Sequence, residues 1–250
     1  MKSFICYLIL VFCCFVVDAQ KVLIHSHNDY EQAEPLTNAL RNRVYSFEAD
    51  VYLVNDTLKV VHDKKDLATA PSLNSLYIQP IVKLFQDNHG HISGDANYAP
   101  VFMIDIKEKG DEVLNVLATM LSEYPSVFDR TRNSKAIQVV ISGSRGDISK
   151  WTSYPSFILF DGRINEQYDN AQLEKVAFIS DSYLNYIKQK DSTDVMIKQL
   201  AEKAHQLKKL LRLWATPDNS SGWLHMKELT VDIINTDKVK ECRDYFASKQ

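Results

Sequence analysis

The residues best suited to chemistry in this chain are two carboxylates and the histidines on either side of them in sequence. Glu48 and Asp50 lie in the segment 46–53, where every second residue is apolar, and His25 and His62 lie upstream and downstream. Alternate side chains of a strand point to opposite faces, so both acids share one face. Two carboxylates enclosed together are costly unless a cation meets them. Carboxylate oxygens suit calcium or magnesium, so the pattern predicts a divalent cation site.

The elements that must position these side chains alternate between strand-like and helix-like segments. Strands are predicted at 22–24, 47–53, 59–62, 101–107, 136–141, 157–160, 176–179, 210–215 and 231–235, and helices at 35–42, 76–88, 111–123, 145–151, 193–208, 223–230 and 238–248. Strands separated by helices pair in parallel through crossovers. About eight such units predict an α/β fold, a (β/α)8 TIM barrel forming a single domain. An open doubly wound sheet is the competing fold, although the chain lacks the Gly-rich phosphate loop of its nucleotide-binding versions.

In such a barrel, catalytic side chains lie at the carboxyl ends of the strands and face inward. The candidate site residues of this chain occupy these places. They are His25, His27, Glu48, Asp50, His62, Asp105, Lys107 and Trp214. Asp105 and Lys107 share one face of their strand opposite apolar residues, as Glu48 and Asp50 do on theirs.

The order of these residues resembles the pattern of the glycerophosphodiester phosphodiesterase and phosphatidylinositol phospholipase C-like superfamily. That pattern has a His after the first strand, an acidic-x-acidic pair, a His-Asp pair, an acidic-x-Lys strand end, a late Trp-Thr and a Thr-Asp. The matching positions here are His25, Glu48 with Asp50, His62-Asp63, Asp105 with Lys107, Trp214-Ala215-Thr216 and Thr236-Asp237. The resemblance covers nearly all of residues 20–250. Within the superfamily, the segment 25–30 is most similar to the branch named for altered inheritance of mitochondria.

The resemblance implies a metal-dependent phosphoric diester hydrolase. Its substrate would be a glycerophosphodiester or phospholipid-type molecule, that is, a small-molecule or lipid-derived phosphodiester. Glu48, Asp50 and Asp105 would bind the divalent cation, Ca²⁺ or Mg²⁺. His25 and His62 would act as general acid and base.

Further residues would bind the substrate by the same resemblance. Lys107 would contact the phosphate as a point charge. Trp214 would form a wall of the pocket. His27 and Asn28 directly follow the first strand and are additional candidates for substrate binding.

The chain departs from the superfamily pattern at three positions. Ser26 stands where an Arg usually follows the first His, and Arg163, at a later strand end, could supply the missing phosphate contact. Asp105 replaces the commoner Glu, which resembles the sphingomyelinase D branch. Ala215 replaces the Thr that usually follows the late Trp.

The first 19 residues predict a signal peptide. Lys2 precedes an apolar run over 4–17, and Ala19 provides a small residue at a plausible cleavage point. The run is short for a membrane span. We therefore expect a secreted or periplasmic protein with no stable membrane span after cleavage, and an uncleaved anchor is the alternative.

Composition narrows the classes of partner. Only Cys242 of the four cysteines lies outside the leader, so no internal disulfide is expected after cleavage. The net charge of −3 provides no basic excess for nucleic acid or an anionic membrane. A chain of this length can bury one core by itself, and we expect a monomer.

Two other functions fit parts of the pattern. His25 and His27 form a His-x-His pair after the first strand, as in metal hydrolases of the amidohydrolase or histidinol-phosphatase type. Those enzymes need further histidines and an Asp at later strand ends, and the ends at Thr216 and Thr236-Asp237 have no His nearby. A non-catalytic barrel that serves as a binding module is the other alternative, since the usual Arg is absent.

Overall fold

The structure, a computed structural model, describes residues 22–188 and 192–249. The predicted signal peptide, residues 1–19, lies outside the described residues, so its cleavage stays a prediction. No helix among the described residues is both long enough and apolar enough to cross a membrane.

Strands and helices alternate along the described residues. The strands are β1 (Leu23–Ser26), β2 (Ser46–Val54), β3 (Thr57–Val60), β4 (Val101–Ile106), β5 (Gln138–Gly143), β6 (Ile158–Gly162), β7 (Val176–Ser182), β8 (Leu211–Trp214) and β9 (Ile233–Thr236). The helices are α1 (Thr37–Arg41), α2 (Gln79–Asp87), α3 (Gly110–Ser122), α4 (Pro125–Phe128), α5 (Asn170–Lys175), α6 (Thr193–Gln206), α7 (Ser220–Glu228) and α8 (Val239–Ala247).

Eight parallel strands close into a barrel. The hydrogen-bonded order runs β1-β9-β8-β7-β6-β5-β4-β2, and β1 also pairs with β2, which joins the two ends. β3 lies outside the ring and pairs antiparallel with β2 through the turn at Asn55-Asp56. The predicted (β/α)8 barrel is therefore confirmed, and the open doubly wound sheet is wrong.

The alternation in β2 decides which side chains enter the barrel. Phe47, Ala49 and Val51 are fully buried among the apolar residues that pack against the helices. The ring of Phe47 stacks on Phe102 of β4 with centroids 4.8 Å apart. This packing fixes the outward face, so Glu48 and the other inward residues of β2 must point into the barrel.

The barrel interior has two layers of side chains. The lower layer is apolar and fully or nearly fully buried, and it consists of Val101, Met103, Val140, Phe178 and Ile233. The upper layer lies toward the carboxyl ends of the strands and is polar and buried, and it consists of His25, Glu48, Ser142, Asp161, Ser180, Arg212 and Asn235. On β5, β7 and β9 the upper-layer residue follows the lower-layer residue by two positions, which is the strand period.

Several helices differ from their predicted bounds. The helix predicted at 76–88 begins as a π-helical turn at Asn74–Ile78 and continues as α2, with Pro80 as the second residue of α2. The helix predicted at 145–151 is a 3-10 helix at Ile148–Ser153. The sequence pattern did not predict α4 or α5. Both are short, and α5 buries none of its residues.

Candidate active site

Three carboxylates converge at the carboxyl ends of β2 and β4. Glu48, Asp50 and Asp105 each offer one oxygen, and these oxygens lie within 4.8 Å of one another. The parallel register places Asp50 directly beside Asp105, so pairing of the two strands brings the acids together. Within residues 22–188 and 192–249, no other group of three acidic, His or Cys side chains comes this close.

The chemistry of this cluster fits a divalent cation. Oδ2 of Asp50 accepts hydrogen bonds from Tyr30 (2.8 Å) and His62 Nδ1 (2.9 Å) and forms an ion pair with Lys107 at 2.6 Å. Oδ1 of Asp50 is buried and has no partner among the described residues. A buried carboxylate oxygen without a partner is costly. A cation shared with Glu48 and Asp105 would remove that cost, because oxygen-only sites are what Ca²⁺ and Mg²⁺ select.

Lys107 contacts two of the three acids. Its Nζ lies 2.6 Å from Oδ2 of Asp50 and 2.6 Å from Oδ2 of Asp105. Burial alone would lower the pKa of Lys107, but the two carboxylates raise it overall, so the side chain stays charged. Burial and the charge of Glu48 raise the pKa of Asp105. The acids therefore crowd one another, and positive charge stabilises the ionised cluster.

Glu48 is held from behind by His25 and Arg212. Nε2 of His25 lies 2.6 Å from Oε2 of Glu48, and Arg212 Nη2 lies 3.1 Å from the same oxygen. Burial alone would raise the pKa of Glu48, but the His25 hydrogen bond and the Arg212 charge lower it overall. Burial, followed by the Arg212 charge, lowers the pKa of His25 to about 4. His25 is thus neutral at pH 7, and we assign its proton to Nε2, which then donates a hydrogen bond to the ionised Glu48.

The other nitrogen of His25 is also engaged. Nδ1 lies 2.7 Å from Oγ of Ser46, which donates to it when Nε2 carries the proton. In that tautomer the 3.1 Å approach of Arg212 Nη2 to His25 Nε2 brings two donors together, so we assign the hydrogen bond of Arg212 to Glu48 instead. Nε of Arg212 donates to Oδ1 of Asn235 at 3.0 Å.

Arg163 and Trp214 lie on the opposite wall. The guanidinium of Arg163 stacks over the ring of Trp214, with Cζ 4.9 Å from the centroid. Its Nη1 lies 2.9 Å from Oδ2 of Asp161, a fully buried carboxylate. Oδ2 of Asp161 also accepts a hydrogen bond from Ser142 at 2.9 Å and lies 3.9 Å from Arg212. Asp161 therefore holds both arginines of the site.

These side chains surround a cavity of about 280 Å³. The predicted site residues that line it are His27, Asn28, Glu48, His62, Asp105, Lys107, Arg163 and Trp214. Asp50 lies just behind its wall and contacts His62 and Lys107. His25 is the exception, because it is fully buried behind Glu48 and does not line the cavity. A larger groove of about 670 Å³ runs along the β2–β3 turn and α3 but contains none of these side chains.

The loop after β1 is anchored by a buried acid. Asp29 is fully buried and accepts hydrogen bonds from Ser26 Oγ, from the backbone N–H of Leu36 and from the hydroxyl of Tyr77. Asn28 adopts a left-handed backbone conformation with φ of 45°, which Asn tolerates better than most residues. The loop thus directs residues 27 and 28 toward the cavity.

Sequence reasoning assigned no role to five side chains that complete the site. They are Tyr30, Asp161, Arg212, Asn235 and Asp237. A signal existed for Arg212, which lies between Leu211 and Leu213 and two residues before Trp214, on the same face of β8. An inward Arg in an apolar strand needs acidic partners, and its partners come from β2 and β6.

A family model described as the AIM6-like phosphodiesterase domain matches residues 14–150, which is more than half of the chain. The chain belongs to this family. The resemblance found in the order of the motifs is thereby confirmed.

Curated relatives in the AIM6-like family carry the name altered inheritance of mitochondria protein 6. The protein from Eremothecium gossypii is 27% identical over 260 residues, an alignment that covers 86% of this chain and 67% of that protein. The homolog from Arthroderma benhamiae is 32% identical over 107 residues, which cover 36% of this chain and 34% of the homolog. The chain thus matches about a third of the Arthroderma protein and two thirds of the Eremothecium protein.

Solved structures share the fold of this AIM6-like chain. A glycerophosphodiester phosphodiesterase from Parabacteroides distasonis superposes with a TM-score of 0.59 at 14% identity, covering 91% of this chain and 98% of that one. A phosphodiesterase from Oleispira antarctica, in complex with the product sn-glycerol-3-phosphate, gives 0.57 at 9% identity, covering 90% and 96%. At these identities the likeness shows the barrel alone.

Proposed function

We propose that this protein is an exported, divalent-metal-dependent phosphoric diester hydrolase that acts on a glycerophosphodiester or phospholipid-type substrate. The observation that carries the proposal is the convergence of Glu48, Asp50 and Asp105 beside Lys107 and His62 at one cavity. Membership of a phosphodiesterase domain family supports the reaction class.

The charges around the cavity suit a phosphodiester. Four carboxylates, those of the cluster and Asp161, lie opposite three cationic side chains, those of Lys107, Arg163 and Arg212. When all are ionised, one negative charge is in excess. A divalent cation turns this into one excess positive charge, which complements the single negative charge of a phosphodiester. A phosphomonoester dianion would be less well matched.

Different residues of the chain have different roles in the hydrolysis. A bound divalent cation supplies positive charge against the phosphate oxygens. Lys107 and Arg163 add charge at the cavity wall, and Trp214 closes one side. His62 and a histidine at the end of β1 transfer protons to and from the reacting oxygens, a contribution of about 10²–10⁴-fold each.

The cavity size favours a compact substrate. A volume of about 280 Å³ suits a head-group-sized phosphodiester such as a glycerophosphodiester. The Oleispira phosphodiesterase with the same fold holds sn-glycerol-3-phosphate as product. A phospholipid would be accepted if its acyl chains remained outside.

The geometry disfavours the His-x-His metal hydrolase. Both ring nitrogens of His25 are engaged by Ser46 and Glu48, which leaves none for a metal. Nδ1 of His27 donates to Asp237 at 2.7 Å. The two histidines therefore do not form a joint metal-binding pair.

Export is tested separately from the reaction. The apolar run over 4–17 and Ala19 motivate it. Mass spectrometry of the protein from its native source should find an N-terminus near Gln20. An intact Met1 would reject cleavage without touching the proposed reaction.

A phosphodiester panel tests the reaction. Purified protein should hydrolyse glycerophosphodiesters, should lose the activity in a chelator, and should regain it when Ca²⁺ or Mg²⁺ is restored. Activity that survives exhaustive chelation would exclude metal dependence. No turnover of any phosphodiester with either metal present would favour the non-catalytic barrel.

Asp50→Asn tests the metal site directly. Loss of one carboxylate should weaken binding of the cation more than about 100-fold, since even outer partners of metal ligands typically cost 10–100-fold. Isothermal titration with Mg²⁺ or Ca²⁺ measures this. Asp56→Asn in the β2–β3 turn is the matched control, because Asp56 is exposed and its φ of 59° is tolerated by Asn. Equal affinities for the two variants would place the cation elsewhere.

A further inference from the structure

The end of β1 presents two histidines in different surroundings. His25 and His27 are two residues apart, yet His25 is completely buried whereas the side chain of His27 is 30% exposed. Only His27 lines the cavity. A group that exchanges protons with a substrate must reach it, so position alone separates the two histidines.

Both ring nitrogens of His25 are engaged, and one of them holds Glu48. Its two ring nitrogens lie 2.7 Å from Oγ of Ser46 and 2.6 Å from Oε2 of Glu48. It lies behind Glu48, on the side where Arg212 also contacts that carboxylate. A proton leaving His25 would have to cross the Glu48 carboxylate to reach the cavity. This is the arrangement of a positioning residue.

His27 has the opposite arrangement. Its Nδ1 donates to Oδ1 of Asp237 at 2.7 Å, and its Nε2 has no hydrogen-bond partner among the described residues. The backbone holds the pair together, because the N–H of His27 donates to the carbonyl of Thr236 at 3.1 Å. Asp237 is fixed in turn by Gln32, which donates to its carbonyl, and by Asp218, which accepts from its N–H.

We propose that His27, oriented by Asp237, is the general acid of the hydrolysis, and that His25 is a positioning residue for Glu48. The assignment rests on the proposed function. In the step, the oxygen of a water molecule bonds to phosphorus and gives its proton to His62. The bond from phosphorus to the leaving oxygen breaks, and its electron pair stays on that oxygen. The leaving oxygen takes the proton from Nε2 of His27, which ends neutral.

The charges around His27 support the acid role. Burial alone would lower its pKa, but the hydrogen bond to Asp237 and the charge of Glu48 raise it overall, against a smaller opposing effect of Arg212. A raised pKa keeps a larger fraction of the imidazole protonated near neutral pH. Asp237, Glu48 and Arg212 are the charged groups that act on the ring, with neutral His25 behind them.

Two substrates and two variants test the assignment. His27→Gln should lower kcat about 10²–10⁴-fold for a diester with an alkyl leaving group. The loss should be much smaller for a p-nitrophenyl diester, whose leaving oxygen needs little help from an acid. Affinity for Mg²⁺ by titration should be unchanged. His25→Gln should instead weaken Mg²⁺ affinity, because Glu48 loses its support, and should show no dependence on the leaving group.

Asp237→Asn gives a second readout. The alkaline limb of the kcat/KM profile, where a general acid loses its proton, should move to lower pH because the carboxylate that raises the His27 pKa is gone. The NMR titration midpoint of His27 should fall as well. The matched control is Asp232→Asn, which removes the partner of His205, 2.8 Å away, in a His–Asp pair outside the cavity. It should leave the activity profile unchanged.

The possible results distinguish a wrong assignment of His27 from a wrong proposed function. If the wild-type protein hydrolyses diesters and His27→Gln retains its rate on the alkyl substrate, the acid assignment is wrong. An equal loss on both substrates would also overturn the acid role. If the wild-type protein is inactive, the proposed function fails, yet the NMR midpoint still tests the His27–Asp237 pair. A midpoint that does not move in Asp237→Asn refutes that pair.

Discussion

The lower and upper layers of the barrel interior come from the same strands but are stabilised in different ways. In the lower layer, Met103 and Phe178 are fully buried and pack in an apolar cluster. In the upper layer, Glu48 and Asp161 are nearly or fully buried and depend on Arg212 between them. The first layer gains free energy from burial itself. The second must recover the cost of removing charges from water.

This difference distinguishes residues that contribute to stability alone from residues that contribute to both stability and function. The lower layer closes the barrel floor and tolerates any apolar residue of suitable size. In the upper layer the identity of each charged residue matters, because each charged group has partners from other strands. A change to a charged group of the upper layer should therefore affect both folding and activity, whereas a change in the lower layer should affect folding alone.

Arg212→Met gives the largest expected effect. It removes the cation between Glu48 and Asp161 and leaves two buried carboxylates without it, which should lower the free energy of unfolding by about 3–5 kcal/mol. It should also weaken divalent-cation affinity, since Glu48 loses a hydrogen bond from Arg212. Urea denaturation and metal titration measure the two effects.

Two further variants sharpen this result. Arg212→Lys keeps the charge but not the planar fork, so it should be intermediate in both measurements. Met103→Ala in the lower layer should cost about 2–5 kcal/mol in stability while cation affinity stays at the wild-type value. If Arg212→Met were as stable as wild type, the upper layer would not depend on its ion pairs.

Local sequence patterns predicted the parts of this architecture that depend on strand period. Glu48 and Asp50 alternate with buried apolar residues, so their inward direction followed from the pleat. The same reasoning placed Asp105 and Lys107. These residues meet at the cavity because parallel strands in register share one carboxyl edge. The barrel followed from the alternation of strands and helices.

Features that depend on three-dimensional neighbours were not predictable in this way. Whether His25 or His27 reaches the cavity depends on the height at which β1 ends relative to its neighbours. Strand stagger sets that height, and one sequence does not reveal it. Asp161 and Arg212 are 51 positions apart in sequence, and their ion pair exists only in the folded barrel. The helix α5 was missed because none of its residues is buried, so it shows no apolar stripe.

A pH series gives the next largest effect. The folded protein lowers the pKa of His25 from 6.5 to about 4, mainly through burial. Between these values the unfolded chain binds the proton and the folded protein does not. The stability from this group is therefore fully present above pH 6.5 and is lost as the pH falls through 4, over a range of about 3 kcal/mol. Urea midpoints at several pH values, in a chelator, would show it.

Two variants, one from each layer, show whether His25 causes the loss of stability at low pH. Met103→Ala should lose stability with falling pH in parallel with wild type, because it removes no titrating group. His25→Gln should start lower at pH 7 and lose less on acidification. Parallel curves for all three proteins would show that His25 does not govern this range.

The smallest effect is expected for Ser180→Ala. Ser180 belongs to the upper layer, and its hydroxyl is buried without a hydrogen-bond partner among the described residues. Removing an unsatisfied hydroxyl relieves a desolvation cost, so the variant should be unchanged or more stable by up to about 1 kcal/mol. Ser142→Ala is the matched control, because Ser142 donates to the Asp161 carboxylate at 2.9 Å and its loss should cost about 1.5–3 kcal/mol. Thermal unfolding of the two variants compares them directly. A destabilised Ser180→Ala would mean that this hydroxyl contributes to the polar network, and that every side chain of the upper layer is tied to the charges it surrounds.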